Sequence, residues 1–210
     1  MNARILIVVC IGLVPLVACD APATAGPVEP LSNAGGAQAQ PTEPEALAPS
    51  EPAPSATMEV AMPFELTSTA FAQGAPIPEV YSCKGEDISP PLAWGDPPDG
   101  TRSFALVMDD PDAPVGTWDH WIIFNLPADL RALPENLQPG DLAANHGANS
   151  WGRADYGGPC PPSGTHRYFF KLYALDTTLS MDEIPDKGQL LADMEGHILA
   201  ETELMGTFSH

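Results

Sequence analysis

The sequence predicts a mainly β fold, a two-sheet antiparallel β-sandwich with a C-terminal helix. Three observations point there. From residue 64 onward, aromatic and β-branched residues occur in short apolar runs of strand length. Proline and glycine recur between these runs, and only one stretch, near the C-terminus, has helical spacing. A doubly wound fold would instead alternate its strands with helices of about ten residues or more.

Taken in order, residues 64–71 read as an imperfectly alternating strand, broken afterwards by Gly74, Pro76 and Pro78. Residues 103–108 form a continuous apolar run that ends at Asp109, Asp110 and Pro111, and residues 121–126 form a second. The third is residues 168–175. If the strand begins at His166, alternation puts His166, Tyr168, Phe170, Leu172 and Ala174 on one face and Arg167, Phe169, Lys171 and Tyr173 on the other. The same rule groups His120, Ile122, Phe124 and Leu126. Residues 187–201 lack proline and carry Leu190, Leu191, Met194, Ile198 and Leu199 three or four apart, the pattern of an amphipathic helix packed on a sheet. Neither a GxGxxG nor a Walker loop occurs, and there is no 20 to 50 residue repeat.

Upstream of the domain, Arg4 precedes an apolar stretch, residues 5–14, too short to span a bilayer and proportioned like a signal-peptide core. Leu16-Val17-Ala18-Cys19 resembles the bacterial lipoprotein cleavage box, whose cysteine becomes the acylated first residue; an ordinary secretory signal is the alternative. From Ala21 to Met62 the chain is rich in Pro, Ala, Glu, Gln, Ser and Gly and has no aromatic residue, so it cannot bury enough apolar area to offset its ordering entropy. The expected organisation is a lipoprotein signal peptide (1–18), a lipid-anchored disordered linker (19–63) and one domain (64–210). The expected location is the bacterial cell envelope, on the periplasmic side in a Gram-negative cell, with the membrane as a partner through the lipid anchor.

Acidic residues outnumber basic ones 28 to 8, so the long-range field repels nucleic acid, which is excluded as a partner. Of the four cysteines, Cys10 leaves with the signal and Cys19 is used by the anchor. Cys83 and Cys160 remain in an oxidising compartment, which favours a disulfide over two free thiols. Such a bond would stabilise the fold by about 4 kcal/mol on a chain-entropy account. Neither cysteine belongs to a CxxC or CxxH pair, so no zinc site, and no cofactor, is expected.

Two polar clusters carry the chemistry. Asp110-Pro111-Asp112-Ala113-Pro114 is followed by His120-Trp121, and Gly158-Pro159-Cys160-Pro161-Pro162 by His166-Arg167-Tyr168. Each adjoins an apolar strand, so two imidazoles, a carboxylate and a phenol converge on one apolar-walled pocket. An aspartate against a histidine stabilises the imidazolium and orients it as a charged donor for a phosphate oxygen. In a chain of net charge -20 a zwitterionic ligand suffers least. Asp112 is expected to cap its own turn. Arg167 is expected to turn away from His166 toward a carboxylate, and His146, His197 and His210 to be surface residues.

The segments DPDAP, HWIIFNLP, GPCPPSGTHRY and FFKLYALD, with CKGEDISPPLAW at residues 83–94, resemble the phosphatidylethanolamine-binding protein family in its bacterial, Raf-kinase-inhibitor-like branch. The resemblance covers nearly all of residues 64–210, in the family's order and spacing. It implies a two-sheet β fold of that type and a pocket for phosphate-like anions and phospholipid headgroups. The pocket aspartate falls on Asp110, the two histidines on His120 and His166, the tyrosine on Tyr168 and the rim on Pro161 and Pro162. Eukaryotic members close the pocket with a C-terminal helix bearing a tyrosine, whereas this chain ends in Thr207-Phe208-Ser209-His210.

The first function expected is thus a non-enzymatic, membrane-tethered binding module for an anionic or zwitterionic small molecule or a phospholipid headgroup. A second is a weak acid-base hydrolase, for which no GxSxG nucleophile exists and Cys160 is the only thiol near the site. A third, suggested by the family, is an inhibitor of an envelope protease or a kinase by surface docking.

Overall fold

Residues 62–210 are described by the computed structural model. The expected signal peptide, the lipidation site Cys19 and the linker as far as residue 61 lie outside them. The chain forms β1 (Leu66–Thr67), β2 (Leu92–Trp94), β3 (Ser103–Asp110), β4 (Trp118–Pro127), β5 (Ala132–Leu133), β6 (Asn145–His146), β7 (Thr165–Leu175), α1 (Lys187–Met194) and β8 (Ile198–Ser209). Antiparallel pairing gives a three-stranded sheet, β1-β2-β5, and a five-stranded sheet, β6-β4-β3-β7-β8. This is the two-sheet β architecture expected, with one α-helix among the described residues.

β3 is buried along its whole length because both of its faces are covered. Phe104, Leu106 and Met108 enter the core shared with the small sheet, where Phe104 meets Trp94 edge-on at 5.4 Å between ring centroids. Ala105 and Val107 enter a second cluster, against Leu190 and Met194 of α1. Double burial is the reason this strand reads as an unbroken apolar run rather than an alternating one. β7 follows the predicted alternation: Tyr168, Phe170, Leu172 and Ala174 all face the larger core.

β4 does not. Two irregularities, opposite Met108/Asp109 and opposite Phe104/Leu106, each insert extra β4 residues into the register. In the first, Met108 pairs with Trp121 and Asp109 with Asp119, leaving His120 as the extra residue. In the second, Asn125 adopts φ 56°. Its side-chain oxygen accepts from Leu179 N at 2.8 Å and its amide donates to Leu179 O at 2.9 Å. The predicted face is therefore split. Ile122 and Phe124 turn toward α1, whereas Leu126 joins Trp121 and Ile123 in the larger core, on the side where His120 meets Tyr168.

Two element boundaries also differ from expectation. Only Leu66–Thr67 of the predicted 64–71 strand pairs with β2, because Ser68 turns the chain, donating to Pro91 O at 2.6 Å and accepting from Ala70 N at 3.1 Å. The helix starts at Lys187, with the Asp186 carboxylate accepting from Gln189 N, and stops at Met194 instead of running to residue 201. Gly196, at φ 80°, takes the left-handed conformation that ends helices. Ile198–Ser209 then pairs with β7 along nearly the whole strand. Ile198 and Leu199, read as part of an apolar helix face, are about 40% exposed.

Cys83 and Cys160 form a disulfide, which settles the alternative between bond and free thiols. It ties the loop before β7 to the segment after Glu79–Tyr81.

Candidate functional site

Asp110 closes β3, and its two carboxylate oxygens do separate jobs. Oδ1 accepts the Asp112 N–H at 2.8 Å and so shapes the DPDAP turn. Oδ2 lies 2.7 Å from His166 Nδ1 at the start of β7. A carboxylate only accepts, so the proton of this contact sits on Nδ1 and the His166 ring is held in one orientation. Both side chains are buried. Asp112 departs from the expected turn-capping role: it accepts from Arg167 N, Nε and Nη2 at 3.0, 2.9 and 2.7 Å. The Arg167 guanidinium holds the Asp112 carboxyl down at about 2. Arg167 thus lies on the β7 face opposite His166, as expected.

His120 is placed by the bulge in β4. Its Nδ1 donates to Gly157 O at 2.7 Å, which leaves Nε2 as the free nitrogen of the ring. Burial holds the imidazolium below its ordinary value of 6.5, although the Gly157 carbonyl and the Asp110 charge pull the other way. The ring meets Tyr168 edge-on at 5.2 Å and Trp151 at 5.0 Å, and Trp151 in turn meets Trp118 at 5.5 Å.

Tyr168 is fully buried, and among the described residues its hydroxyl has no partner within hydrogen-bond distance, although the Cys160 backbone and the Asp110 carboxylate lie close enough to act on it. Burial, reinforced by the Asp110 charge, pushes the phenol well above its ordinary value, so it remains a protonated donor. An unsatisfied buried hydroxyl costs about 1–3 kcal/mol, a cost an arriving acceptor can offset.

The loop from Gly157 to Pro162 forms the rim. Gly158 N donates to the Asp87 carboxylate at 2.7 Å, Cys83 N to Pro159 O at 3.2 Å and Tyr156 Oη to Tyr81 O at 2.8 Å. Gly158 must lack a side chain, because a Cβ there would strike the Tyr81 carbonyl and the Asp87 carboxylate. Pro161 is buried and Pro162 exposed. His210 is exposed, as expected, and its ring donates to Pro161 O at 3.1 Å and its backbone N to Gly164 O at 2.9 Å. His146 is only half-buried at the sheet edge, and His197 pairs with Asp176 at 2.8 Å.

The structure therefore brings Asp110, His120, His166 and Tyr168 together, whereas Pro161 and Pro162 are placed only in the loop between the bonded Cys160 and β7. A cavity of about 270 Å³, lined by Cys83, Asp87, Trp151, Arg153, Gly157, Gly158 and Cys160, meets the group only through Trp151 and Gly157, which contact His120; none of the four side chains is in its lining. Two cavities of about 460 Å³ along residues 179–186 contain none of the four side chains. Among the described residues no group of three or more His, Cys, Asp or Glu side chains is arranged to hold a metal ion. Sequence reading missed the Gly157 carbonyl and Trp151. A backbone acceptor has no side-chain signature, and a lone loop tryptophan shows nothing periodic.

The sequence model of the family described as phosphatidylethanolamine-binding protein matches residues 67–209. A UPF0098 protein of Methanothermobacter thermautotrophicus is 47% identical over 148 residues, covering 69% of this chain and 98% of its own. A putative phosphatidylethanolamine-binding protein homolog from Chlamydia trachomatis superposes with a TM-score of 0.67 at 46% identity, covering 70% of this chain and 97% of its own. Escherichia coli YbcL, described as a member of the mammalian family, gives 0.64 at 33% identity, with 70% and 98% covered.

Proposed function

The chain belongs to the phosphatidylethanolamine-binding protein family, and from this premise we propose that it is a binding protein whose pocket takes phosphate-like anions or phospholipid headgroups. The observation that carries this reading is the buried Tyr168 hydroxyl, without a hydrogen-bond partner among the described residues, set beside the Asp110–His166 pair. A phosphate oxygen reaching this group accepts from the phenol. His166, its ring held in one orientation by Asp110 at 2.7 Å, presents Nε2 to the same ligand. The free Nε2 of His120 accepts from a protonated phosphate or a headgroup ammonium. The aromatic wall of Trp118 and Trp151 favours a cationic second end to the ligand.

Calorimetry with inorganic phosphate, phosphoethanolamine and longer headgroup analogues tests the reading. Binding is expected in the wild type and expected to be lost in His120→Ala and His166→Ala. Equal affinity in all three proteins overturns it. The hydrolase alternative finds no support at Cys160, whose sulfur is bonded to Cys83 and is not a free nucleophile. In this reading a lipidated Cys19 tethers the domain to an envelope membrane, and mass spectrometry of the mature N-terminus tests that part directly.

A further inference from the structure

Asp109 and Asp119 immediately precede two of the site residues, Asp110 and His120, and they are register partners across β3 and β4. Like charges directly opposite on neighbouring strands repel, and a buried carboxylate stays ionised only when paired. Asp109 is 2% exposed. Lys187, the first residue of α1, answers both carboxylates: its Nζ donates to Asp109 Oδ2 at 2.8 Å and to Asp119 Oδ1 at 2.6 Å. Lys171 of β7 reaches Asp109 as well, at 3.0 Å, but among the described residues only Lys187 forms an ion pair with Asp119.

This bridge spans the place where β4 is irregular. Between the Met108–Trp121 and Asp109–Asp119 pairs His120 is the extra residue, and the shape of a bulge decides where its extra side chain points. Asp109 lies on the α1 side of the sheet with Ala105 and Val107, while His120 meets Tyr168 on the other. Leu190 and Met194 anchor the helix that delivers the ammonium.

We propose that Lys187 is a positioning residue for the site on the opposite face: by bridging Asp109 and Asp119 it holds the bulge that aims His120 and the strand end that carries Asp110. The part that concerns ligand affinity rests on the binding function proposed above, whereas the part that concerns His120 geometry does not.

The experiment uses the full chain with Lys187→Met, Lys187→Arg, Asp119→Asn and the double variant Lys187→Met/Asp119→Asn. Two quantities are read: the imidazole NMR signals of His120 and His166 without ligand, and the calorimetric affinity for inorganic phosphate. Lys187→Met is expected to shift the His120 signals and weaken phosphate binding by about 10 to 100 fold, the size that outer-sphere supports have at metal sites. Lys187→Arg and the double variant are expected to return both toward wild type. In the double variant the carboxylate repulsion that Lys187 offsets is gone, a rescue that simple loss of helix packing would not give.

Unmoved His120 signals in a folded Lys187→Met protein overturn the proposal, and so does a double variant no better than Lys187→Met alone. Where Lys187→Met does not fold, the comparison is made in the Asp119→Asn background. There, adding Lys187→Met should change the His120 signals little, and a large change overturns the proposal. If the signals follow expectation while wild type binds no phosphate, the binding function falls and the positioning role stands.

Discussion

The Tyr168 hydroxyl is buried, protonated and without a hydrogen-bond partner among the described residues, so it is costly unpaired and useful with an acceptor present. Removing it should move stability and affinity in opposite directions. Tyr168→Phe is expected to leave the empty protein as stable as wild type or more stable by up to about 1 kcal/mol, since no bond is lost. Phosphate affinity should fall by about tenfold, the loss of one donor at roughly 1.4 kcal/mol. Urea unfolding and calorimetry on the same preparation give both values, and a destabilised variant with full affinity would contradict the assignment.

His120 links the site to pH. Its imidazolium is disfavoured in the fold, so the unfolded chain binds a proton more readily near 6.5 than the native one does. Native stability associated with His120 is thus complete above the ordinary imidazole value and declines as pH falls through and below 6.5 toward the lower folded value. One proton limits the slope to about 1.4 kcal/mol per pH unit. Urea midpoints between neutral and mildly acidic pH should fall more steeply for wild type than for His120→Gln. Parallel curves would show that His120 does not carry this linkage.

At the scale of elements, β3 and β7 and the start of α1 were legible in the sequence because each is governed by local periodicity and burial. Alternation put His166 and Tyr168 on one face, whereas Asp110 was read from its place at the end of an apolar run and from the family resemblance. What escaped was set by partners distant in sequence. The bulge that places His120 exists because β4 must match β3 in register, and β8 exists because its residues pair with β7, overriding a weak helical pattern. Gly196 was the one local signal of that switch, as a residue suited to the left-handed helix end. The loop at Gly157–Pro162 is over-determined in the same non-local way, by the disulfide and by hydrogen bonds to the Tyr81–Asp87 segment. Cys83→Ser/Cys160→Ser should therefore cost about 4 kcal/mol of unfolding free energy, the entropy of an unconstrained 77-residue separation, by urea titration. Phosphate affinity should change by less than about threefold, because the hydrogen bonds still hold the rim. A collapse of affinity in a folded variant would mean that the disulfide itself sets the rim.

Over the whole molecule, the formal charge of -20 opposes the function proposed for the pocket. Asp110, Asp112 and Asp119 lie in or behind this region, and the cations around it, Arg153, Arg167 and Lys187, are already paired with carboxylates. In the function proposed, an anion therefore binds through short-range contacts at Tyr168 and the Asp110-held His166, against a long-range field of the wrong sign. The two contributions respond differently to salt. The Debye length is about 30 Å at 0.01 M and about 10 Å at 0.1 M, so added salt removes the distant repulsion while leaving buried hydrogen bonds nearly intact. Inorganic phosphate should accordingly bind more tightly as sodium chloride rises over this range. Phosphoethanolamine, whose ammonium offsets much of its charge, should respond less. Phosphate affinity that falls with salt would mean that exposed cations, and not the buried Asp110–His166–Tyr168 group, hold the anion.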